Sequence, residues 1–584
     1  MISVAGRAGL AATAVSIACT VAVAIAGPSL MEPPLPGAAG GPPWALDLGL
    51  NPYLAVGLAA AGLVTGTAGV ALTLRAMRQG WTVSPLYVLL AGALAAVVAG
   101  TTRPFGTSDF ISYAAYGREL VTGHNPYLVA PEALARLGDP VARAVQDWAG
   151  TPSVYGALAT GVFGVASVIG GTSVRLTVFV LAMANVSAFI GTGVLLDRMA
   201  RDRAARLRAA LLWTCNPLLL QILVAGSHVD GLAAAFSIAG IALLARFSPN
   251  GPVITSPTAR WHPAASRPQR VALRALLAGM LLGLGFAVKP TVLLVAVGMM
   301  ISMSAWQHSH APAPGCPVSA SSAPSASPLP RAGLARDLIA FPRVIARQIA
   351  IKWVAMAGLA AGFGLVAGAD ILLIGRAGIA QTLRASGMVS VGSPWRPVRA
   401  GLSLFVAQSV ADEAVRWCAV ALAALLAIRL LRLLRPTGFF PAFALVLAWL
   451  MAWPYVLPWY DALAWALLPL LPASGFDWLL LARTAVLGLA YLPARSAGVT
   501  IPGGLRWMEP VLRTAVAPAV LAVLLVILVR WTDRARHGYG MMRLCAMPIS
   551  VRKGRLPRQR WRASSARSGL RMSRQCRTPR SALP

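Results

Sequence analysis

Apolar runs long enough to cross a bilayer recur from residue 8 almost to residue 530. This recurrence limits the fold more than any other feature of the chain. A crossing needs about 20 apolar residues, and only a helix or a closed barrel satisfies every backbone polar group inside hydrocarbon. With 57% hydrophobic and 12% charged residues among 584, and a mean hydropathy of +0.69, the chain carries more apolar surface than a soluble core can hide. The expected fold class is an all-α polytopic membrane protein with about 13–14 transmembrane helices. Spans are expected at 8–27, 54–75, 83–101, 174–195, 209–225, 232–246, 273–288, 291–306, 353–376, 414–432, 439–456, 462–476, 479–494 and 510–530. The apolar stretch 153–171 would upset the charge alternation as a full crossing, so it is expected to be re-entrant or interfacial.

The formal charge of +33 could suggest nucleic acid, but its distribution argues against that. Arginines crowd alternate connections, and 15 of the 51 basic residues lie beyond residue 529, without an aromatic-basic module beside them. This is the pattern of loops kept in the cytoplasm, facing anionic lipid. It predicts a multi-pass plasma-membrane protein with both termini cytoplasmic, membrane lipids as partners and no nucleic acid. Arg7 followed by an apolar run and Ala24-Ile25-Ala26-Gly27 imitates a signal peptide; an uncleaved first span is expected. Residues 1–530 read as one membrane domain with a first large outer loop over 102–152 bearing interfacial helices. The Pro/Ser-rich stretch 307–334 reads as a disordered cytoplasmic loop, and 531–584 as a basic, disordered or membrane-surface tail. No internal repeat is evident. The six cysteines are scattered without CxxC or CxH spacing, so neither disulfides nor a metal site are expected.

The same orientation gathers the unusual polar motifs on the extracytoplasmic face. Carboxylates at the edge of hydrocarbon are costly and usually functional. Asp109 follows the third span in Ser108-Asp109-Phe110-Ile111-Ser112-Tyr113, and the loop runs on to Gly123-His124-Asn125-Pro126-Tyr127. If 109–121 is helical, Asp109, Tyr113, Tyr116 and Gly117 share a face, presenting a carboxylate and two phenols to a cleft. Asp109 could equally cap the helix, with the tyrosines as interfacial anchors. His228 and Asp230 lie in Ser227-His228-Val229-Asp230-Gly231 after the kink expected at Asn216-Pro217. They could hydrogen-bond a polyhydroxylated or phosphate ligand, or simply cap a tight hairpin. Lys289 could snorkel to the interface or neutralise a lipid-linked phosphate; Arg103, Arg376, Arg384, Arg396 and Arg399 are outward cations with the latter possible use. Trp459 and Tyr460 could stack on a sugar face or anchor the interface.

Taken together, the motifs resemble a known family. Ser-Asp-Phe-x-Ser-Tyr-x-x-Tyr-Gly-Arg with Gly-His-Asn-Pro-Tyr, Asn216-Pro217 with Gly-Ser-His-Val-Asp-Gly, Ala287-Val288-Lys289-Pro290 and Pro458-Trp459-Tyr460 are similar in order and spacing to polyprenol-phosphomannose-dependent α-1,6-mannosyltransferases, the MptA/MptB group. The likeness covers roughly residues 50–500. Val229 stands where that family usually has asparagine, and Ala157 replaces a proline of its Tyr-Gly-Pro-Leu pattern. The resemblance implies a GT-C architecture with Asp109 as catalytic carboxylate, and Tyr113, Asn125, Tyr127, His228, Asp230, Lys289, Trp459 and Tyr460 as donor- or acceptor-binding candidates. It further implies a polyprenyl-phosphate-mannose donor, a lipid-anchored mannan acceptor, an inverting transfer that builds the core of lipomannan and lipoarabinomannan, and no metal or other cofactor. A different polyprenyl-phosphate-sugar transferase (arabinosyl or protein O-mannosyl) or a lipid flippase or transporter are the other readings.

Overall fold

The computed structural model describes residues 4–37, 40–245, 268–304, 332–433, 438–494 and 500–536. The expected disorder of 307–334 falls almost wholly outside these residues, and that of 531–584 largely so. The described residues are helical, with isolated bridges in place of strands. Among the described residues, eight helices are long and apolar enough to cross a membrane, and five more apolar helices are shorter. The chain is thus an all-α, multi-pass membrane protein.

The first pair shows how sequence sets packing. Helix α1 (Val4–Ala26) lies against α2 (Pro52–Arg78), which opens with Asn51 accepting the Tyr53 N–H and Pro52 in the first turn. Small residues let the backbones approach. A Cβ at Gly9 would stand 2.8 Å from the Thr73 nitrogen, and one at Gly69 only 2.5 Å from the Thr13 hydroxyl. The Ser16 hydroxyl closes the contact on the Gly62 carbonyl at 2.6 Å.

Next come α3 (Pro85–Thr101), α4 (Asp109–Val121) and α5 (Ala157–Gly170), then α6 (Val174–Met199) and α7 (Arg203–Leu212). At 14 residues, α5 reaches only about 21 Å, well short of a hydrocarbon core. It packs against α4 and returns at Gly170 to the start of α6, where a Cβ would collide with Thr177. The expected kink follows α7. Asn216 accepts the Leu218 N–H at 3.1 Å, Pro217 breaks the ladder, and a π-turn covers Leu220–Val224.

Helices α8 (Asp230–Ala245), α9 (Pro268–Phe286) and α10 (Val292–Ser304) precede α11 (Ala332–Ser386), which breaks at Gly375, φ 63°. Beyond it lie the short α12 (Trp395–Leu402), then α13 (Gln408–Leu433), α14 (Phe440–Ala452), α15 (Gly475–Ala490) and α16 (Ala517–Arg536).

The expected span at 462–476 is not a continuous helix. It divides into a 3-10 turn at Pro458–Asp461, a helix at Ala462–Leu467 and another 3-10 turn at Leu468–Leu470. Pro469 and Pro472 withhold backbone donors there. Irregular backbone at this depth is tolerated because residues 461–471 are buried in protein rather than lipid.

One end of the bundle is held by charge. Buried Asp477 accepts Arg208 at 2.7 Å and lies 3.5 Å from Arg78, while Arg78 also donates to the Ser474 carbonyl. Ser474 and Asp477 form a capping box at the start of α15. The opposite end holds Asp109, His228, Lys289 and Trp459.

Candidate active site

Asp109 is the first residue of α4, and its N–H is accepted by the Thr107 hydroxyl at 3.2 Å. The cap is therefore supplied by Thr107, and the Asp109 carboxylate faces a cavity of about 390 Å³. Helix α4 is fixed from several sides. The Ser108 hydroxyl donates to Asp147, the Tyr116 hydroxyl to the Thr151 carbonyl at 2.9 Å, and Arg118 pairs with Asp139 at 2.6 Å. Gly117 does not face the cleft, as the shared helical face suggested. It is the contact point with α5, where a Cβ would lie 2.1 Å from the Phe163 carbonyl oxygen.

The turn 225–229 brings His228 behind Asp109. Ser227 sits at φ 52°, held by the Asn185 amide donating to its carbonyl at 3.0 Å. His228 Nδ1 is 3.7 Å from an Asp109 carboxylate oxygen, beyond a hydrogen bond. Its ring stacks on Trp459 with centroids 3.8 Å apart and planes within 16°. Asp230 forms an ion pair with Lys289, and the Lys289 ammonium lies 3.8 Å from the Tyr460 ring centre, a cation–π contact. The backbone around Lys289 is clamped to the start of α5. Leu158 and Ala159 donate to the Ala287 carbonyl, against which a Cβ at Gly156 would press at 2.2 Å.

Asp109 lies outside the spanning helices, and burial together with the neighbouring Asp230 carboxylate holds its acid up to about 7. It can therefore accept a proton near neutrality. Of the residues lining the cavity, Asp109 and Lys289 carry charge; the walls are largely aromatic. Such a chamber, with few polar groups set among rings, suits a polyhydroxylated ligand with an anionic group.

Five expected site residues line the cavity: Asp109, Tyr113, Lys289, Trp459 and Tyr460. His228 and Asp230 lie just behind them. Asn125 and Tyr127 do not belong to it. Asn125 accepts the Tyr127 N–H at 2.9 Å and shapes a turn, while the Tyr127 hydroxyl donates to Thr160 at 3.0 Å. Lys289 lines the cavity while its ammonium is paired with Asp230. None of the five outward arginines lines the cavity; Arg103 is buried against Glu32 at 2.6 Å and Asp47, and Arg399 pairs with Asp412.

Sequence reasoning did not single out Trp148, Trp449 or Tyr491 as lining residues. Tyr155 was noted only as part of a pattern; its hydroxyl lies 3.3 Å from that of Tyr113. Tyr491 ends α15, stands edge-on to Trp459 at 5.0 Å and carries the Arg513 guanidinium over its face at 4.9 Å. Among the described residues, no three His, Cys, Asp or Glu side chains gather around one point suited to a metal ion.

Comparison with known proteins bears on this site. The sequence profile of the family described as "Alpha-(1->6)-mannopyranosyltransferase, N-terminal domain" matches residues 7–306, a stretch that holds Asp109, His228, Asp230 and Lys289. An alpha-(1->6)-mannopyranosyltransferase B of Corynebacterium glutamicum is 30% identical over 144 residues, 24% of each chain. A probable alpha-(1->6)-mannopyranosyltransferase of Mycolicibacterium smegmatis is 29% identical over 212 residues, 35% of this chain and 37% of that relative. The matches thus span about a quarter and just over a third of these relatives. No solved structure matches the chain.

Proposed function

Because the chain belongs to the alpha-(1->6)-mannopyranosyltransferase family, we propose that it is a membrane glycosyltransferase of GT-C type. It moves mannose from polyprenyl-phosphate-mannose to a lipid-anchored mannan acceptor, at the extracytoplasmic face, forming an α-1,6 linkage with inversion. The observation that carries this reading is that one proton-accepting carboxylate, Asp109, and one cation, Lys289, line the same ring-rich chamber.

The chemistry follows from those two groups. The acceptor hydroxyl gives its proton to the Asp109 carboxylate as its oxygen bonds to the anomeric carbon. The bond from that carbon to the phosphate oxygen breaks, and its electron pair leaves with the lipid phosphate. Charge develops on the ring oxygen side of the sugar, as in other glycosyl transfers, and on the phosphate, where Lys289 stabilises it. A phosphate leaves without needing a proton, so a single carboxylate suffices. Trp459 and Tyr460 offer faces for the sugar. His228, wedged between Asp109 and Trp459, keeps the base and the platform in register.

Purified protein in nanodiscs, given labelled lipid-linked mannose and synthetic mannan acceptors, tests the reading. Mannose should appear on the acceptor in α-1,6 linkage, and Asp109→Asn should abolish transfer while leaving the protein folded. Redistribution of the lipid without transfer would instead make the protein a flippase, and full turnover by Asp109→Asn would remove the carboxylate from the chemistry.

A further inference from the structure

Asp109 and the rings contribute one part of the cavity lining, and the segments at the start of α10 and the end of α11 contribute another, mostly aliphatic part: Pro290, Leu293, Leu294, Ala385 and Met388, with the hydroxyls of Thr291, Thr382 and Ser386 among them. Leu293 both lines the cavity and is 43% exposed, whereas its neighbour Val292 is fully buried. A side chain with one face inward and one outward marks an opening. On α11 itself, Leu372, Leu373 and Leu383 are turned outward, as suits helix surface bathed in acyl chains. Lys289 immediately precedes Pro290, so the cation borders the apolar mouth within the chamber that Asp109 also faces.

Resting on the lipid-linked donor proposed above, we infer that the gap between Leu293–Leu294 and Ala385–Met388 is the port for the isoprenoid chain of a polyprenyl phosphate. A chain of many isoprene units cannot fit inside about 390 Å³ and must leave the protein sideways into the bilayer. With the chain in this gap, its phosphate reaches Lys289 and the attached sugar reaches Asp109 and the rings.

A rival exists. A second cavity of about 190 Å³ lies among α12, α13, α14 and α16 and shares Trp453 with the first. Its charged lining residue, Arg483, is already paired with buried Asp461 and donates to the Leu450 carbonyl. Asp109 does not line that cavity, and the Arg483 side chain is 1% exposed against 15% for Lys289, so a tail seated there would hold its sugar away from the carboxylate and the port between α10 and α11 is favoured.

The test uses full-length protein in nanodiscs with a polyprenyl phosphate carrying a diazirine on its first isoprene unit. Irradiation should label peptides containing residues 290–294 and 382–388, and excess unlabelled polyprenyl phosphate should abolish that labelling. Labelling centred on 395–398 and 521–525, or labelling that competitor leaves unchanged, would overturn the port. Because this readout needs no transfer, labelled port peptides in a preparation that moves no mannose would retain the port and remove the mannosyl reading. The variant Leu293→Trp, which narrows the mouth, should lower kcat/KM for a long-chain donor at least about tenfold and change that for a two-isoprene donor less than about twofold. Equal loss with both donors would overturn the assignment.

Discussion

The base at Asp109 makes a sharp prediction about pH. Its acid is held up to about 7 by burial and by the Asp230 carboxylate. A carboxyl raised in this way is protonated below that value and ionised above it, so activity should rise with pH. From pH 6 to pH 8 the ionised fraction goes from about one in eleven to about ten in eleven, so kcat/KM should climb about tenfold and then level. A phosphodiester donor does not titrate in this range, so the limb belongs to the protein. Asp230→Asn removes a like charge and also releases Lys289 from its partner. Both changes favour ionised Asp109 and should move the limb down by about one to three pH units. Initial rates of mannose transfer in nanodiscs between pH 5 and pH 9 measure this directly, with Asp109→Asn as the control that should show no transfer. A flat profile, or a limb that stays in place in Asp230→Asn, would refute the reasoning.

Other substitutions separate binding from architecture. Lys289→Met leaves Asp230 buried without its cation and should cost about 3–5 kcal/mol; adding Asp230→Asn should recover most of the lost thermal stability in detergent. Gly117→Ala drives a methyl into the Phe163 carbonyl and should destabilise the protein by about 1–3 kcal/mol, with transfer falling as α4 shifts, both read from melting curves and rates on one preparation. Asn125→Ala should lower stability by about 1 kcal/mol, the worth of one turn hydrogen bond, and leave KM for donor and acceptor unchanged; a raised KM would return Asn125 to the binding site.

Much of this was legible in the chain itself, for a physical reason. A helix in lipid must be apolar along its length, so 8–27, 54–75 and 174–195 announced α1, α2 and α6. The run 462–476 misled because hydropathy does not register Pro469 and Pro472, whose effect is on backbone donors. In the site, Asp109 and Lys289 stood out as charges beside apolar runs. Their company did not. The Asp230–Lys289 pair joins residues 59 apart in sequence, and a partner at that separation is invisible until the bundle forms. Tyr491 falls inside the expected apolar run 479–494, and only its contact with Trp459 reveals its place. Asn125 carried a strong motif, yet the motif encodes a turn that bends the loop.

Asp477 bears on how such a bundle can move. One buried carboxylate ties Arg78 at the foot of α2 to Arg208 in α7 and caps α15 as well. Three elements are riveted together there, so relative motion among them pivots at that point and its amplitude grows with distance from it. Along the 27 residues of α2, about 40 Å at the helical rise, a tilt of about 3° displaces the far tip by about 2 Å. Breathing of that size, negligible at the arginine-rich foot, is enough at the other end to widen or pinch a gap between neighbouring side chains.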